Sequence, residues 1–336
     1  MMHAVVVRSY DKGPVYEKVE EPQPQGPHEA VVEVLAAGLH HYVRAQADGS
    51  HYTSKDSSGL PLIPGIDGVG RLADGKMVYF VAPDTSFGTM AEKTVIDLRR
   101  SVPLPEGADA VRIAATMNPA MSAWVALRRR IHFEQGQKVL VLGATGSSGQ
   151  MAVQIAKLMG ASEVIAAGRD QERLESLRAR GADVLVSLAG DIGEAAARLG
   201  EAAAEVDVVI DYLWGKPAEL AMVPMLMKRS DRSRSLTWIQ IGSVAGASAA
   251  IPSAALRSAN FQLLGSGQGS VTAAGYLAEF PALIEAILDG KLQVHAVTCP
   301  LSKAEEVWSA PSSAEQRIVF VPGLDSGANV KFIWSR

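Results

Sequence analysis

The chain has 336 residues, enough for about two domains with substantial cores, and its 48% hydrophobic and 20% charged content is that of an ordinary globular protein. A net charge of −4 leaves no electrostatic footprint for nucleic acid or an anionic membrane. A lone cysteine, Cys299, excludes an intrachain disulfide and a cysteine-rich zinc module. No apolar run reaches the ~18 residues of a membrane span, and the first residues carry no charged leader followed by an apolar stretch, so a cytoplasmic protein is expected.

Residues 1 to about 120 read as β-rich. Ala4–Arg8, Ala30–Ala36, Gly68–Leu72, Met77–Val81 and Lys93–Ile96 are short β-prone pieces between Pro, Gly and Asp turns, and no helix-length periodic segment precedes residue 108. From Ala110 the pattern turns helical: Ala110–Met117 and Met121–Arg130 are predicted as two helices broken at Asn118-Pro119.

Val139–Leu142 then predicts a strand buried on both faces, followed by Gly143, Gly146 and Gly149 and by a helix that stops at Gly160. Strand, glycine turn and helix together make an anion site, because N–H groups at a helix start point at a pyrophosphate that larger side chains would block. Gly143, Thr145, Gly146, Ser147, Ser148 and Gly149 are therefore predicted cofactor contacts. The spacing GxxGxxG departs from the commoner GxGxxG, and its weight comes from the strand–turn–helix context.

A regular alternation follows: strand Val164–Ala167, helix Asp170–Arg180, strand Val184–Ser187, helix Ile192–Ala204, strand Val206–Ile210, a helix from near Pro217, and strands Trp238–Ile241 and Phe261–Leu264. Six strands with intervening helices predict an α/β fold with a doubly wound parallel Rossmann sheet. The tail holds a helix at Tyr276–Asp289 and strand-like pieces at Val294–Thr298 and Arg317–Val321, and is expected to fold back onto the N-terminal part. The expected domains are 1–120 and 269–336 together, and 121–268.

The residue ending the second strand of such a sheet meets the adenosine ribose. Here Gly168 leaves space and Arg169 offers a forked cation for a 2′-phosphate, with Arg173 one turn on as a second contact. Asp170 fits a helix N-cap. NADP(H) is favoured over NAD(H).

The order of motifs resembles the medium-chain dehydrogenase/reductase superfamily. Pro64-Gly65-Ile66-Asp67-Gly68-Val69-Gly70 is similar to the PGxExxG stretch of its zinc-independent quinone-oxidoreductase branch, and Phe87-Gly88-Thr89-Met90-Ala91-Glu92 to its GxxAE turn. Asp207–Asp211 and Ile241-Gly242-Ser243 resemble strands facing the nicotinamide half, which makes Asp211, Gly242 and Ser243 candidate cofactor contacts. The resemblance implies a discontinuous, GroES-like β-rich catalytic domain beside the Rossmann domain. The positions matching the metal ligands of the zinc branch are His40, Ile66 and approximately Asn118; Ile66 cannot ligate, so no metal is expected.

What the resemblance then implies is hydride delivery from NADPH to a quinone or another α,β-unsaturated carbonyl, with a donor beside the developing oxyanion and a proton source. The branch's asparagine and tyrosine positions correspond to His40 and Tyr52. His40 either donates to the oxyanion or is a structural histidine; Tyr52 either supplies the proton or walls the pocket. His51 and Tyr42 are weaker candidates. Asn118 and Ser122 are candidate ribose or carboxamide contacts, Ser122 alternatively bonding its own backbone. The last strand, Phe261–Leu264, pairs with its copy in relatives, which implies a homodimer. Alternatives are a zinc-free alcohol or aldehyde oxidoreductase and a nucleotide-binding scaffold with little turnover.

Overall fold

The computed structural model describes residues 1–50, 59–82, 87–308 and 316–324. The chain divides into two compact units, Met1–Asn118 with Phe280–Arg336, and Pro119–Glu279.

The first unit opens with an antiparallel ribbon of β1 (Met2–Val6) and β2 (Val15–Val19). After β3 (Glu29–Gly38) come α1 (His41–Ala47), β4 (Asp67–Arg71), β5 (Met77–Val81), β6 (Lys93–Asp97), β7 (Ser101–Pro103) and α2 (Ala110–Val125), along which the chain passes into the second unit at Pro119. The second unit holds β8 (Lys138–Leu142), α3 (Ser147–Leu158), β9 (Glu163–Gly168), α4 (Gln171–Ser176), β10 (Val184–Ser187), α5 (Ile192–Ala202), β11 (Val208–Asp211), α6 (Gly215–Lys228), β12 (Leu236–Gln240), α7 (Ser253–Arg257) and β13 (Phe261–Gly265). The chain then returns through α8 (Ala273–Leu288) to β14 (Ala296–Pro300), α9 (Ala304–Trp308) and β15 (Arg317–Val321) in the first unit.

In the first unit β3 is the hub: it pairs antiparallel with β4, β6 and β15, so the tail strand completes the sheet begun by the N-terminal segment. Apolar residues alternating along these strands, among them Val34, Phe80, Ile96 and Phe320, form one buried core. In the second unit six strands run in the order β10-β9-β8-β11-β12-β13, every pair parallel. Val139, Leu140, Val141 and Leu142 are all fully buried, as a strand covered on both faces requires. The order reverses between β8 and β11, and in open α/β sheets ligands bind at that switch point, beyond the strand C-termini.

Three local expectations are corrected. Helix α1 lies where none was expected: only Val43 and Ala47, one turn apart, are buried, too few positions to announce a helical period. The expected break at Asn118-Pro119 is absent, since α2 runs through Pro119 and then widens into a π turn at Ala126–Arg130. A proline inside a helix costs ~3 kcal/mol, which burial of Ile113, Ala114, Met117, Ala120 and Ala123 offsets at ~25 cal/mol per Å² of apolar surface. The expected helix Asp170–Arg180 is split, with α4 followed by a 3₁₀ turn at Arg178–Arg180 and then Gly181 at φ 105°, where only glycine sits without strain.

Candidate cofactor site and a buried polar cluster

The three glycines of the turn after β8 have three different physical reasons. Gly143 has φ 83°, and its N–H and that of Ala144 both donate to the Ala167 carbonyl of β9 at 3.0 and 2.9 Å. A Cβ on Gly149 would lie 2.2 Å from the Gly143 carbonyl oxygen and 2.6 Å from Ala144 Cα, both backbone, so only glycine lets α3 pack on the turn. Gly146 is different. It has an ordinary φ of −76° as the residue before α3, and a Cβ there meets nothing nearer than the Gly143 oxygen at 3.4 Å. Packing within the protein therefore does not require glycine at 146. With residues 147–149 forming the first turn of α3, whose N–H groups have no acceptor within the helix, the cradle fits a nucleotide diphosphate.

At the end of β9 a correction is needed. The space expected beside Gly168 is filled: a Cβ there would lie 2.5 Å from Thr145 Cγ2. Gly168 therefore seats the Thr145 side chain. Asp170 is the N-cap of α4, accepting from the Arg173 N–H at 3.0 Å, and its other oxygen pairs with Arg173 Nε at 3.2 Å. Arg173 is thus committed to Asp170. Arg169 is exposed and has no hydrogen bond or ion pair with any described residue.

Asp211 is corrected too. It is fully buried; Oδ1 accepts from the N–H groups of Leu213 and Trp214 at 2.8 and 2.9 Å, and Oδ2 from Trp238 Nε1 at 2.9 Å. Burial pushes its pKa up against those bonds. Asp211 shapes the turn after β11, where Trp214 has φ 53°, and presents no oxygen to a cofactor. Gly242 donates to the Asp211 carbonyl at 3.1 Å, and a Cβ on it would lie 2.8 Å from the Tyr212 oxygen. Ser243 follows with no side-chain partner among the described residues. Ser122 donates to Pro119 O at 3.0 Å, the backbone bond weighed from sequence, and takes the Tyr212 hydroxyl at 2.8 Å. Asn118, half-buried on α2, ends the first segment of the other unit.

In that unit His40 sits at the end of β3, 2% exposed, with a ring that folds back so closely that a Cβ on Gly38 would lie 2.5 Å from its Cε1. Its Nδ1 faces a guanidinium nitrogen of Arg317, a group with donors only, so Nδ1 accepts and the proton resides on Nε2. Nε2 then donates to Asp67 Oδ1 at 2.8 Å, while Tyr79 OH donates to Asp67 Oδ2 at 2.9 Å. His40, between β3 and α1, is thus joined to residues of β4, β5 and β15. Burial, with Arg317 adding to it and Asp67 opposing, holds the His40 pKa below its ordinary value. Burial also brings Arg317 down to about 10 and raises Tyr79. Both His40 nitrogens are taken, so the expected direct donation from His40 to a substrate oxygen is not what this arrangement offers. Asp67, Tyr79 and Arg317 were not legible in the sequence, although Asp67 lies within the stretch Pro64–Gly70. Tyr52 and His51 lie outside the described residues.

Cys299 is buried, its thiol pushed up to about 12 by burial. Among the described residues no three His, Cys, Asp or Glu side chains come together as a metal site, and no helix is long and apolar enough to cross a membrane.

A parallel six-stranded sheet opening on such a turn, flanked along the chain by the two parts of a β-rich unit, defines the dehydrogenase/reductase class. Residues 149–287 match the family model described as zinc-binding dehydrogenase, a stretch that includes none of His40, Ile66 and Asn118. The chain is 31% identical to the probable NADPH-dependent quinone reductase tdiC of Emericella nidulans, over 96% of this chain and all of that one. It is 28% identical to the chloroplastic NADPH-dependent alkenal/one oxidoreductase of Arabidopsis thaliana, over 47% of this chain and 44% of that protein. The quinone oxidoreductase of Thermus thermophilus, solved also with NADPH, superposes with a TM-score of 0.77 at 26% identity, covering 95% of this chain and 100% of that one. The chain belongs to the medium-chain dehydrogenase/reductase superfamily, in its quinone-reductase branch.

Proposed function

We propose that the protein is an NADPH-dependent oxidoreductase that reduces a quinone or another α,β-unsaturated carbonyl. The observation that carries the reading is Gly146: a position where the chain has room for a side chain and carries none, at the start of a helix and at the switch point of the sheet. Arg169, uncommitted beside the end of β9, supplies the fork for the 2′-phosphate, and Arg173 neutralises Asp170, which would otherwise repel it. The relatives' NADPH-dependent quinone and alkenal chemistry points the same way.

Bound NADPH supplies the hydride. The work of this chain is to hold and orient. Residues 147–149, in the first turn of α3, present N–H groups to the diphosphate, and the bare Cα of Gly146 lets it approach. Beyond the end of β12, Gly242 leaves its Cα bare and Ser243 offers a hydroxyl, with Asn118 and Ser122 as further polar contacts. The His40 cluster fixes the end of β3 with its histidine neutral, and Tyr52 is the residue we assign to supply the proton or wall the pocket. A zinc-free reaction is supported by Ile66, which has no ligand atom, and by a His40 whose nitrogens already have partners. Strand β13 ends the sheet with Leu263 exposed on it, which supports a homodimer that covers this edge. A composition with one cysteine supports a cytoplasmic location.

Calorimetric titration with NADPH and NADH, followed by steady-state assays with 1,4-quinones, enones and simple alcohols, tests the reading. Tighter binding of NADPH and turnover of quinone or enone are expected. No heat with either nucleotide would sink it, and oxidation of alcohols alone would move it to the zinc-free alcohol reading.

A further inference from the structure

The glycine turn is held by more than its glycines. Gln150, in the second turn of α3, is only 6% exposed although it carries an amide. Its Nε2 donates to the Thr145 carbonyl at 3.1 Å, and its Oε1 accepts from Arg180, the last residue of the 3₁₀ turn after α4. A guanidinium has donors only, so Arg180 fixes which end of the amide is oxygen and thereby turns the N–H₂ end to Thr145. The Thr145 side chain is meanwhile lodged against Gly168 of β9. Thr145 is thus gripped at its carbonyl from one side and at its methyl from the other.

That grip bears on anion binding. A peptide carbonyl swung into the turn would aim the negative end of its dipole at a phosphate; one held outward leaves a cradle lined by N–H groups. We infer that Arg180 and Gln150 are positioning residues for the nucleotide diphosphate, Arg180 acting through Gln150 and Gln150 through the Thr145 carbonyl, an inference that rests on the NADPH reading above. Neither touches the cofactor. Their effect is preorganisation: the turn is set before the ligand arrives, and the ordering cost falls out of binding. Because the diphosphate is common to both nicotinamide nucleotides, the pair acts equally on NADPH and NADH. Arg169 acts on one of them.

The experiment is calorimetry with NADPH and with NADH on the full chain and on Arg180→Met, Gln150→Leu, Gln150→Glu, Arg180→Lys and the double variant Arg180→Met/Gln150→Leu, with the thermal midpoint of each free protein alongside. Gln150→Glu keeps an acceptor for Arg180 and removes the donor to Thr145, so it breaks the second link, and its thermal midpoint shows that the fold is kept. We expect Kd for both nucleotides to rise by the same factor, about tenfold, in Arg180→Met, Gln150→Leu and Gln150→Glu. The double variant is expected to be no worse than Gln150→Leu, because the two act in series, and Arg180→Lys to recover most of the loss. Unchanged affinity in a folded Gln150→Glu protein overturns the inference. So does a loss confined to NADPH, which would make Arg180 a 2′-phosphate contact, or factors that multiply in the double variant. If the unaltered protein takes up neither nucleotide, the NADPH reading fails as well; if it binds and the variants match it, only the positioning role fails.

Discussion

The glycine turn of one unit and the His40 cluster of the other are built in opposite ways. The turn is assembled from neighbours in sequence: Gly143 supplies the left-handed φ, Gly149 the close packing and Gly146 the bare approach, all within seven residues. The cluster takes His40, between β3 and α1, and single residues from β4, β5 and β15, up to 277 positions apart. The N–H groups at the start of α3 have no acceptor within the helix; the cluster turns inward, both His40 nitrogens and both Asp67 oxygens being bonded to its own members. A proposed anion site and an inward-facing polar cluster call for different perturbations. Small backbone changes injure the first, and loss of one charge injures the second.

The largest effect is expected where a charge is removed from the cluster. Asp67→Asn keeps the size and can still accept from His40 Nε2, so it isolates the carboxylate that offsets the buried Arg317 guanidinium. Leaving a buried charge without its partner costs about 3–5 kcal/mol. Urea unfolding measures it, and adding Arg317→Gln to Asp67→Asn recovers part of the loss. A change below about 1 kcal/mol would mean that water screens the cluster as it does a surface pair.

At the turn, two glycines should separate folding from binding. Gly149→Ala puts a methyl 2.2 Å from a backbone oxygen that cannot move aside, and overpacking of this kind costs about 1–3 kcal/mol and opens the turn. Gly146→Ala meets only an ordinary contact at 3.4 Å, so the free protein keeps its stability within about 0.5 kcal/mol while NADPH affinity falls at least about tenfold. Thermal unfolding with and without nucleotide reads both. If Gly146→Ala binds NADPH as tightly as the unaltered chain, the cradle at 146 is not the diphosphate site.

Next in size is Arg169→Ala. A forked guanidinium on a phosphate makes charge-assisted bonds of about 1.5–3 kcal/mol, so the NADPH Kd should rise roughly 10- to 100-fold and the NADH Kd stay put. Equal losses for both nucleotides would remove the 2′-phosphate role and leave a general electrostatic one.

The same contrast explains what could be read from the chain before its structure. The parallel sheet and the glycine turn were legible because their signals are local: Val139–Leu142 is a continuous apolar run, the glycines follow at a fixed spacing, and the helix after them is periodic. Asp170 as N-cap was legible for the same reason. Gly168 was misread, since the Thr145 methyl that fills its space comes from the neighbouring strand's turn. Asp211 was misread because its burial and its Trp238 partner are tertiary, although the N–H groups of Leu213 and Trp214 that it also accepts from are local. His40 could be singled out, but its tautomer depends on Arg317, and no pattern in one sequence pairs those two positions. Helix α2 passed through Pro119 because burial along its length outweighs a local preference.

The smallest expected effect concerns protons. Free histidine titrates near 6.5, and burial, with Arg317 beside it, holds folded His40 below that. As pH falls from about 6.5 toward the folded value, the unfolded chain takes up a proton that the folded chain refuses, so stability falls with pH in that window and is fully retained above it. One group contributes at most about 1.4 kcal/mol per pH unit. His40→Gln keeps an acceptor for Arg317 and a donor for Asp67 but cannot titrate. Unfolding followed from pH 7.5 to 5 should therefore show a steeper acid loss for the unaltered protein than for His40→Gln. If instead the unaltered protein gains on the variant as the solution is acidified, His40 is protonating in the folded state and pairing with Asp67 as an imidazolium. Arg317 would then have to leave Nδ1, and the closed cluster would be one that opens.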